Sequence, residues 1–172
     1  MNNILLIQVQ PSDLNALQEI ARTTFTEAYA DVNTAEDMKN YLANNLSQET
    51  LLSEINHVNS RFYLAKINEE VVGYLKLNKH CEASGSLNVL TLEIERIYAL
   101  RAYYGRGVGP LLMQKAVNIA QQEGCKYIWL GVWKRNDRAL QFYKKNNFQV
   151  YGERSFQLGD TLYSDYLMKK EI

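Results

Sequence analysis

An alternating strand-like run, Leu92-Glu93-Ile94-Glu95-Arg96-Ile97-Tyr98-Ala99-Leu100, passes through Arg101-Ala102-Tyr103-Tyr104-Gly105-Arg106-Gly107-Val108-Gly109 into a helical pattern. The glycines at 105, 107 and 109 stand at alternate positions. Such a turn lets backbone N–H groups gather with no Cβ in the way. The first N–H groups of the following helix lack internal partners and lie at the positive end of its dipole. The pairing makes an anion site suited to a phosphate or diphosphate. The spacing does not fit a dinucleotide fingerprint, because the last glycine of G-x-G-x-x-G falls on Pro110, and no G-K-[ST] follows. A tight strand-to-helix connection without a ligand stays open on spacing alone.

The rest of the chain supplies one domain around this turn. Its 172 residues are 47% hydrophobic and 22% charged, enough to bury a core without cross-links. A strand is expected over Ile4–Val9, halted by Pro11, then a helix to about Ala30 whose stripe is Leu14, Leu17, Ile20, Ala21, Phe25 and Ala28. Helices over Thr34–Leu46 and Ser47–Ile55 open on hydroxyl caps. A hairpin over Arg61–Ile67 and Val71–Leu77 turns at Asn68-Glu69-Glu70, and His80–Asn88 reads as a polar loop. Leu90–Leu100 reads as a long strand, and Val108–Glu123 as an amphipathic helix stopped by Gly124. Lys126–Val132 alternates little and is expected to be buried on both faces. A helix over Asp137–Asn146 and strands over Phe148–Phe156 and Tyr163–Met168 complete an α/β (α+β) chain with a mixed sheet and helices on both faces.

Several classes fall away. Lys plus Arg and Asp plus Glu both number 19, so no global positive field draws nucleic acid or an anionic membrane surface. No run approaches the ~18 apolar residues of a membrane helix. The start, MNNILLIQVQ, has neither a basic leader nor a small-residue cleavage site. Cys81 and Cys125 are too few for a disulfide framework and read as reduced thiols, which points to the cytoplasm. His57, His80 and the cysteines have no metal-ligand spacing, and no G-x-S-x-G is present.

Tyr104-x-x-Gly107-x-Gly109 after a strand and before a helix resembles the acetyl-CoA signature of the GNAT N-acetyltransferases, Gln/Arg-x-x-Gly-x-Gly/Ala. Asn136-x-x-Ala139-x-x-Phe142-Tyr143-x-x-x-x-Phe148 is similar to that family's second signature. The stretches LEIERIY (92–98), IWLGVWKRN (128–136) and FYKK (142–145), with Ser155-Phe156 and Gly159-Asp160, resemble the PaiA-type bacterial spermidine/spermine N-acetyltransferases. The resemblance implies a GNAT fold, a mostly antiparallel sheet with splayed middle strands. It also implies acetyl-CoA as co-substrate, with no metal.

Carried over by position, the resemblance gives the pantetheine arm to Ile97, Tyr98 and Ala99. The diphosphate falls to Tyr104, Gly105, Arg106, Gly107, Val108 and Gly109, mostly through main-chain N–H, with further cofactor contacts from Asn136 and Lys145. Tyr104 stands in place of Gln/Arg, Asn147 in place of a glycine, and Ala99 is smaller than the usual branched residue.

Acetylating an amine first requires a free base. Deprotonating an alkylammonium of pKa about 10.4 at pH 7 costs roughly 4–5 kcal/mol. Glu93 aligns with the family's general base and Glu95 is its reserve on the same face; the plain alternative for both is a solvent-facing strand position. A backbone N–H near Ile97–Tyr98 can meet the oxyanion. Tyr143 resembles the general acid for the leaving thiolate, a transfer uphill by only roughly 2 kcal/mol on reference values; otherwise it is a core tyrosine. For a cationic polyamine, Glu27, Tyr29 and Asp31 at the end of the first helix offer acids and an aromatic face, although such acids are more often solvated surface. The alternatives are another amine (an amino acid, an aminoglycoside or a protein N-terminus) or a non-catalytic acyl-CoA-binding regulator. A homodimer is allowed, and nothing in the residues fixes the oligomeric state.

Overall fold

The computed structural model describes residues 3–84, 87–158 and 161–172. It contains β1 (Ile4–Gln8), α1 (Leu14–Tyr29), α2 (Ala35–Asn45), α3 (Gln48–Asn56), β2 (Ser60–Ile67), β3 (Glu70–Ser84) and β4 (Leu87–Ala99). It continues with α4 (Val108–Gln122), β5 (Tyr127–Trp133), α5 (Asp137–Lys145), β6 (Gln149–Leu158) and β7 (Thr161–Glu171). The strands form one mixed, mostly antiparallel sheet in the order β1-β2-β3-β4-β5-β7-β6.

The chain divides into two compact units. The first comprises Met1–Leu77 and Arg96–Lys115. Its core joins Leu17, Ile20, Ala21 and Phe25 of α1, Met38 of α2 and Leu51 of α3 to Phe62, Leu64 and Tyr74 of the sheet. Each buried Leu, Ile or Phe contributes about 1.5–3 kcal/mol. Ala28, expected in the α1 stripe, is exposed instead, because the helix is in its last turn as it leaves the sheet. Thr34 and Ser47 cap α2 and α3 as their sequence positions imply, each side chain accepting an N–H three residues on. On the opposite face from Tyr74, the start of α4 lies against β3 at Gly73.

The second unit comprises Asn78–Glu95 and Ala116–Ile172. Here β5 pairs in parallel with β4 over Thr91–Glu93 and Tyr127–Trp129, and antiparallel with β7 along its whole length. Two expectations are corrected in this unit. His80–Ser84 is strand, continuing β3, and Leu87–Asn88 already belongs to β4, because a ladder tolerates polar side chains on a face that is not packed. Residues 85 and 86 of the expected loop, and Gly159-Asp160, lie outside the described residues. Strand β5 is not buried on both faces: Ile128, Leu130 and Val132 are buried, whereas Tyr127, Trp129, Gly131 and Trp133 are only half so. The large aromatic side chains hid a strict alternation. Gly124 (φ +67°) and Asn147 (φ +66°) adopt the left-handed conformation expected of stops after α4 and α5.

Candidate functional site

The glycine turn lies in the first unit. Gly105 (φ +74°) and Gly107 (φ +90°) both occupy the left-handed region, which an L side chain rarely adopts. No heavy atom stands within 4 Å of where a Cβ would be at Gly105, so the space over the turn is open and the demand for glycine is conformational. The Gly107 carbonyl accepts from Leu111 N–H at 3.1 Å and starts the α4 ladder. Val108 is fully buried and anchors the helix, while Gly109 lies within its first turn. Tyr104 N–H donates to the Arg101 carbonyl and Arg106 N–H to the Tyr103 carbonyl, both at 3.2 Å. Both N–H groups are thus engaged inside the turn, which leaves the other four of the six residues expected at the diphosphate to offer theirs. Gly105, Gly107, Val108 and Gly109 are the residues whose N–H groups suit that role. The Tyr104 ring is exposed, and the Arg106 guanidinium lies 5.3 Å over the Tyr103 ring, whose hydroxyl donates to Glu70 at 2.5 Å.

Strand β4 leads into this turn through Ile97, Tyr98 and Ala99, all half-buried. Leu100 N–H donates to the Val72 carbonyl at 2.9 Å, holding the end of β4 against β3. The approach is so close at Gly73 that a Cβ there would stand 2.6 Å from the Tyr98 carbonyl oxygen and 2.9 Å from Val108 Cγ1. Tyr98 stacks on Tyr74 at 5.8 Å, and its phenol is hydrogen-bonded to Tyr29. Burial pushes that phenol well above the usual tyrosine range, the Tyr29 and Tyr74 rings adding to the effect. Glu54 of α3 ties the same region together. Its carboxylate receives both Arg96 nitrogens at 2.8 and 3.0 Å and the buried Lys76 ammonium at 2.8 Å.

The proposed polyamine residues of the first helix are otherwise employed. Glu27 accepts from Arg101 N–H at 2.8 Å, and its carbonyl accepts from the Arg101 guanidinium. Tyr29 packs at 4.6 Å on Phe25 and bonds Tyr98. Both serve the fold in this structure; Asp31 is exposed.

The two candidate bases lie in the second unit, on one sheet face. Glu93 is 8% exposed, whereas Glu95 is open to solvent. The Asn78 amide donates to both, at 3.2 Å to Glu93 and by a shorter bond to Glu95. His80 Nε2 lies 3.0 Å from Glu93 Oε2. Trp129 stands level with Glu93 in the β4–β5 ladder, and its ring is 5.6 Å from that of His80. The Trp129 indole N–H is buried and has no hydrogen-bond partner among the described residues. Asn78, His80 and Trp129 were not among the expected site residues. Ending the strand at Leu77 and reading 80–88 as a loop removed the stretch of β3 that brings the first two beside Glu93.

Helix α5 holds the candidate acid. Tyr143 is buried, its ring 5.5 Å from Phe142 and 5.9 Å from Phe148. Asn136 caps the helix, its side-chain oxygen accepting from Ala139 N–H at 3.1 Å, which leaves the amide NH₂ for a ligand. Lys145 ends α5 in solvent. Among the described residues no cluster of His, Cys, Asp and Glu is arranged to hold a metal ion, and no helix is long and apolar enough to cross a membrane.

Residues 14–148 match the acetyltransferase (GNAT) family. The chain is 34% identical to an uncharacterized N-acetyltransferase of the pepI 3′ region of Lactobacillus delbrueckii subsp. lactis, over 100% of this chain and 99% of the relative. It is 26% identical to the spermidine N(1)-acetyltransferase of Thermoplasma acidophilum, covering 92% and 91% of the two chains. The crystal structure of the PaiA N-acetyltransferase of Thermoplasma acidophilum in complex with coenzyme A superposes with a TM-score of 0.80, at 25% identity and over 99% of both chains. An open, left-handed glycine turn at the mouth of a helix is the feature a coenzyme diphosphate needs. This chain belongs to the acetyltransferase (GNAT) family and is an N-acetyltransferase that uses acetyl-CoA.

Proposed function

We propose that the acceptor is a polyamine such as spermidine or spermine, acetylated on a primary amine by direct attack within a ternary complex. One observation carries this reading: Glu93 and Glu95, joined through Asn78, stand on the same sheet face as the half-buried ring of Trp129. Two carboxylates and an aromatic face suit a ligand with several ammonium groups. The likeness to a protein named spermidine N(1)-acetyltransferase, over nine-tenths of the chain, supports the same choice.

Acetyl-CoA supplies the activated acyl group as a thioester. The N–H groups of Gly105, Gly107, Val108 and Gly109 hold its diphosphate at the positive end of α4. The backbone of Ile97, Tyr98 and Ala99 takes the pantetheine arm, and the Asn136 amide adds a donor. Lys145 is free in solvent to meet a coenzyme phosphate. Glu93, screened from water yet hydrogen-bonded, removes the proton of the acceptor ammonium, directly or through one water. Glu95, more exposed, holds a second ammonium. Tyr143 donates its phenolic proton to the leaving sulfur. Most of the acceleration comes from holding amine and thioester together, worth up to about 7–11 kcal/mol in well-oriented systems.

The test is coenzyme A release, followed with a thiol reagent, against spermidine, spermine, a free amino acid, an aminoglycoside and a peptide N-terminus. We expect kcat/KM to be highest for the polyamines. A higher value for any other amine overturns the acceptor assignment, and no release with any amine favours a non-catalytic acyl-CoA sensor.

A further inference from the structure

His80 is the one imidazole in the candidate site, and the roles above leave it unused. It lies on β3, outside any sequence motif, with Nε2 3.0 Å from Glu93 Oε2. The pair spans a gradient of exposure: the Glu93 side chain is 11% accessible and that of His80 40%. A base at the buried end has a problem that the exposed end can solve. Once Glu93 has taken a proton from the acceptor, that proton must leave before the next turnover, and the Glu93 side chain, 11% accessible, meets little water of its own.

We infer that His80 is a positioning and relay residue, accepting the proton from Glu93 and passing it to solvent. This rests on Glu93 being the base. Each step balances. An ammonium N–H bond breaks as a carboxyl O–H forms, that O–H breaks as the His80 Nε2–H forms, and the imidazolium yields a proton to water or buffer. In general an imidazole is a stronger base than a carboxylate, by about two pKa units on reference values, which suits it to receive a proton from a carboxyl group. For the relay the neutral ring carries its hydrogen on Nδ1 and turns the Nε2 lone pair toward Glu93, ready to accept. Among the described residues the charged and titratable groups around the ring are few. Glu93 faces it directly, and Glu95 joins through Asn78, both from β4. From β5 comes Trp129, which carries no charge. Lys169 of β7 stands level with Trp129, but its ammonium lies over the rings of Tyr127 and Tyr151.

The experiment compares full-length wild type, His80→Gln and Glu93→Gln with acetyl-CoA and the best acceptor of the amine panel, after matching melting temperatures establish folding. Glutamine keeps a polar group beside Glu93 but cannot carry a proton. For His80→Gln we expect kcat about tenfold lower, an acid limb of the kcat/KM profile that no longer reports an imidazole, and an unchanged Kd for acetyl-CoA. Added imidazole, which reaches the exposed end of the pair, should restore the rate of the variant and leave wild type unaffected. Wild-type rate in His80→Gln overturns the relay, as does a slowed variant with an unaltered pH profile and no response to imidazole. Glu93→Gln separates the two levels. If it turns over normally, Glu93 is not the base and the reading beneath the relay fails; if it is slow while His80→Gln is not, the relay alone fails.

Discussion

Gly73→Ala is a small substitution for which we expect effects on both stability and coenzyme binding. The added methyl would stand 2.6 Å from the Tyr98 carbonyl oxygen, 2.9 Å from Val108 Cγ1 and 3.3 Å from Ala99 Cα. A comfortable carbon–oxygen separation is about 3.4 Å, so β3 and β4 must part by about 0.8 Å at a backbone atom with no rotamer to relieve it. Overpacking of this kind costs about 1–3 kcal/mol. Alanine also reduces the freedom of the unfolded chain, which offsets about 0.4–1 kcal/mol at a backbone position it can adopt. The net loss is about 1.3 kcal/mol at the centre of these ranges, or a fall in Tm of about 3–5 °C for a chain of this size. The displaced atoms belong to the segment assigned to the pantetheine arm and to the residue anchoring α4. Calorimetric titration with acetyl-CoA should therefore show Kd raised severalfold. A variant that melts within about 1 °C of wild type and binds acetyl-CoA with wild-type affinity would refute the reasoning that glycine is needed there to bring β3 under the coenzyme segment.

Gly107→Ala must hold an L residue at φ +90°, at a cost of about 1–3 kcal/mol; we expect acetyl-CoA Kd to rise about tenfold or more in calorimetry, with kcat at saturation nearly unchanged. Tyr143→Phe keeps the buried ring among Phe142 and Phe148 while removing the proposed acid. Steady-state kinetics should show kcat down by about 10²-fold with acetyl-CoA affinity unaltered, and wild-type turnover would remove Tyr143 from the chemistry. Glu54→Ala strips the shared partner from the buried Lys76 and from Arg96. A loss of about 3–5 kcal/mol is expected in urea unfolding, and a loss below 1 kcal/mol would show that other groups or water hold both cations once Glu54 is gone.

The parts legible in the sequence are those where local chemistry decides alone. Alternating glycines mark a turn at 105–109, hydroxyls at 34 and 47 demand helix starts, and Asn147 can replace glycine after a helix; each appears where it was expected. What stayed hidden depends on partners distant along the chain. Glu27 resembles a free acid until Arg101, 74 residues away, is seen donating to it. Glu54 gives no local sign of meeting cations on two strands. Gly73 is an ordinary strand glycine until the Tyr98 carbonyl is placed against it. The polar composition of 80–88 favoured a loop, but the open face of a sheet accepts polar residues as readily, and that misreading, with the strand ended at Leu77, concealed His80 and Asn78 beside Glu93. Trp129 was hidden in the same way, by aromatic bulk that masked the alternation of β5.

The most direct measurement is mass spectrometry of spermidine after incubation with the protein and acetyl-CoA, with free coenzyme A quantified in the same sample. We expect monoacetylated spermidine in equal amount to the coenzyme A released, and loss of both in parallel in Glu93→Gln. Coenzyme A released while spermidine stays unmodified, or acetylated spermidine formed as fast by Glu93→Gln as by wild type, would contradict the assignment of this carboxylate face to the transfer.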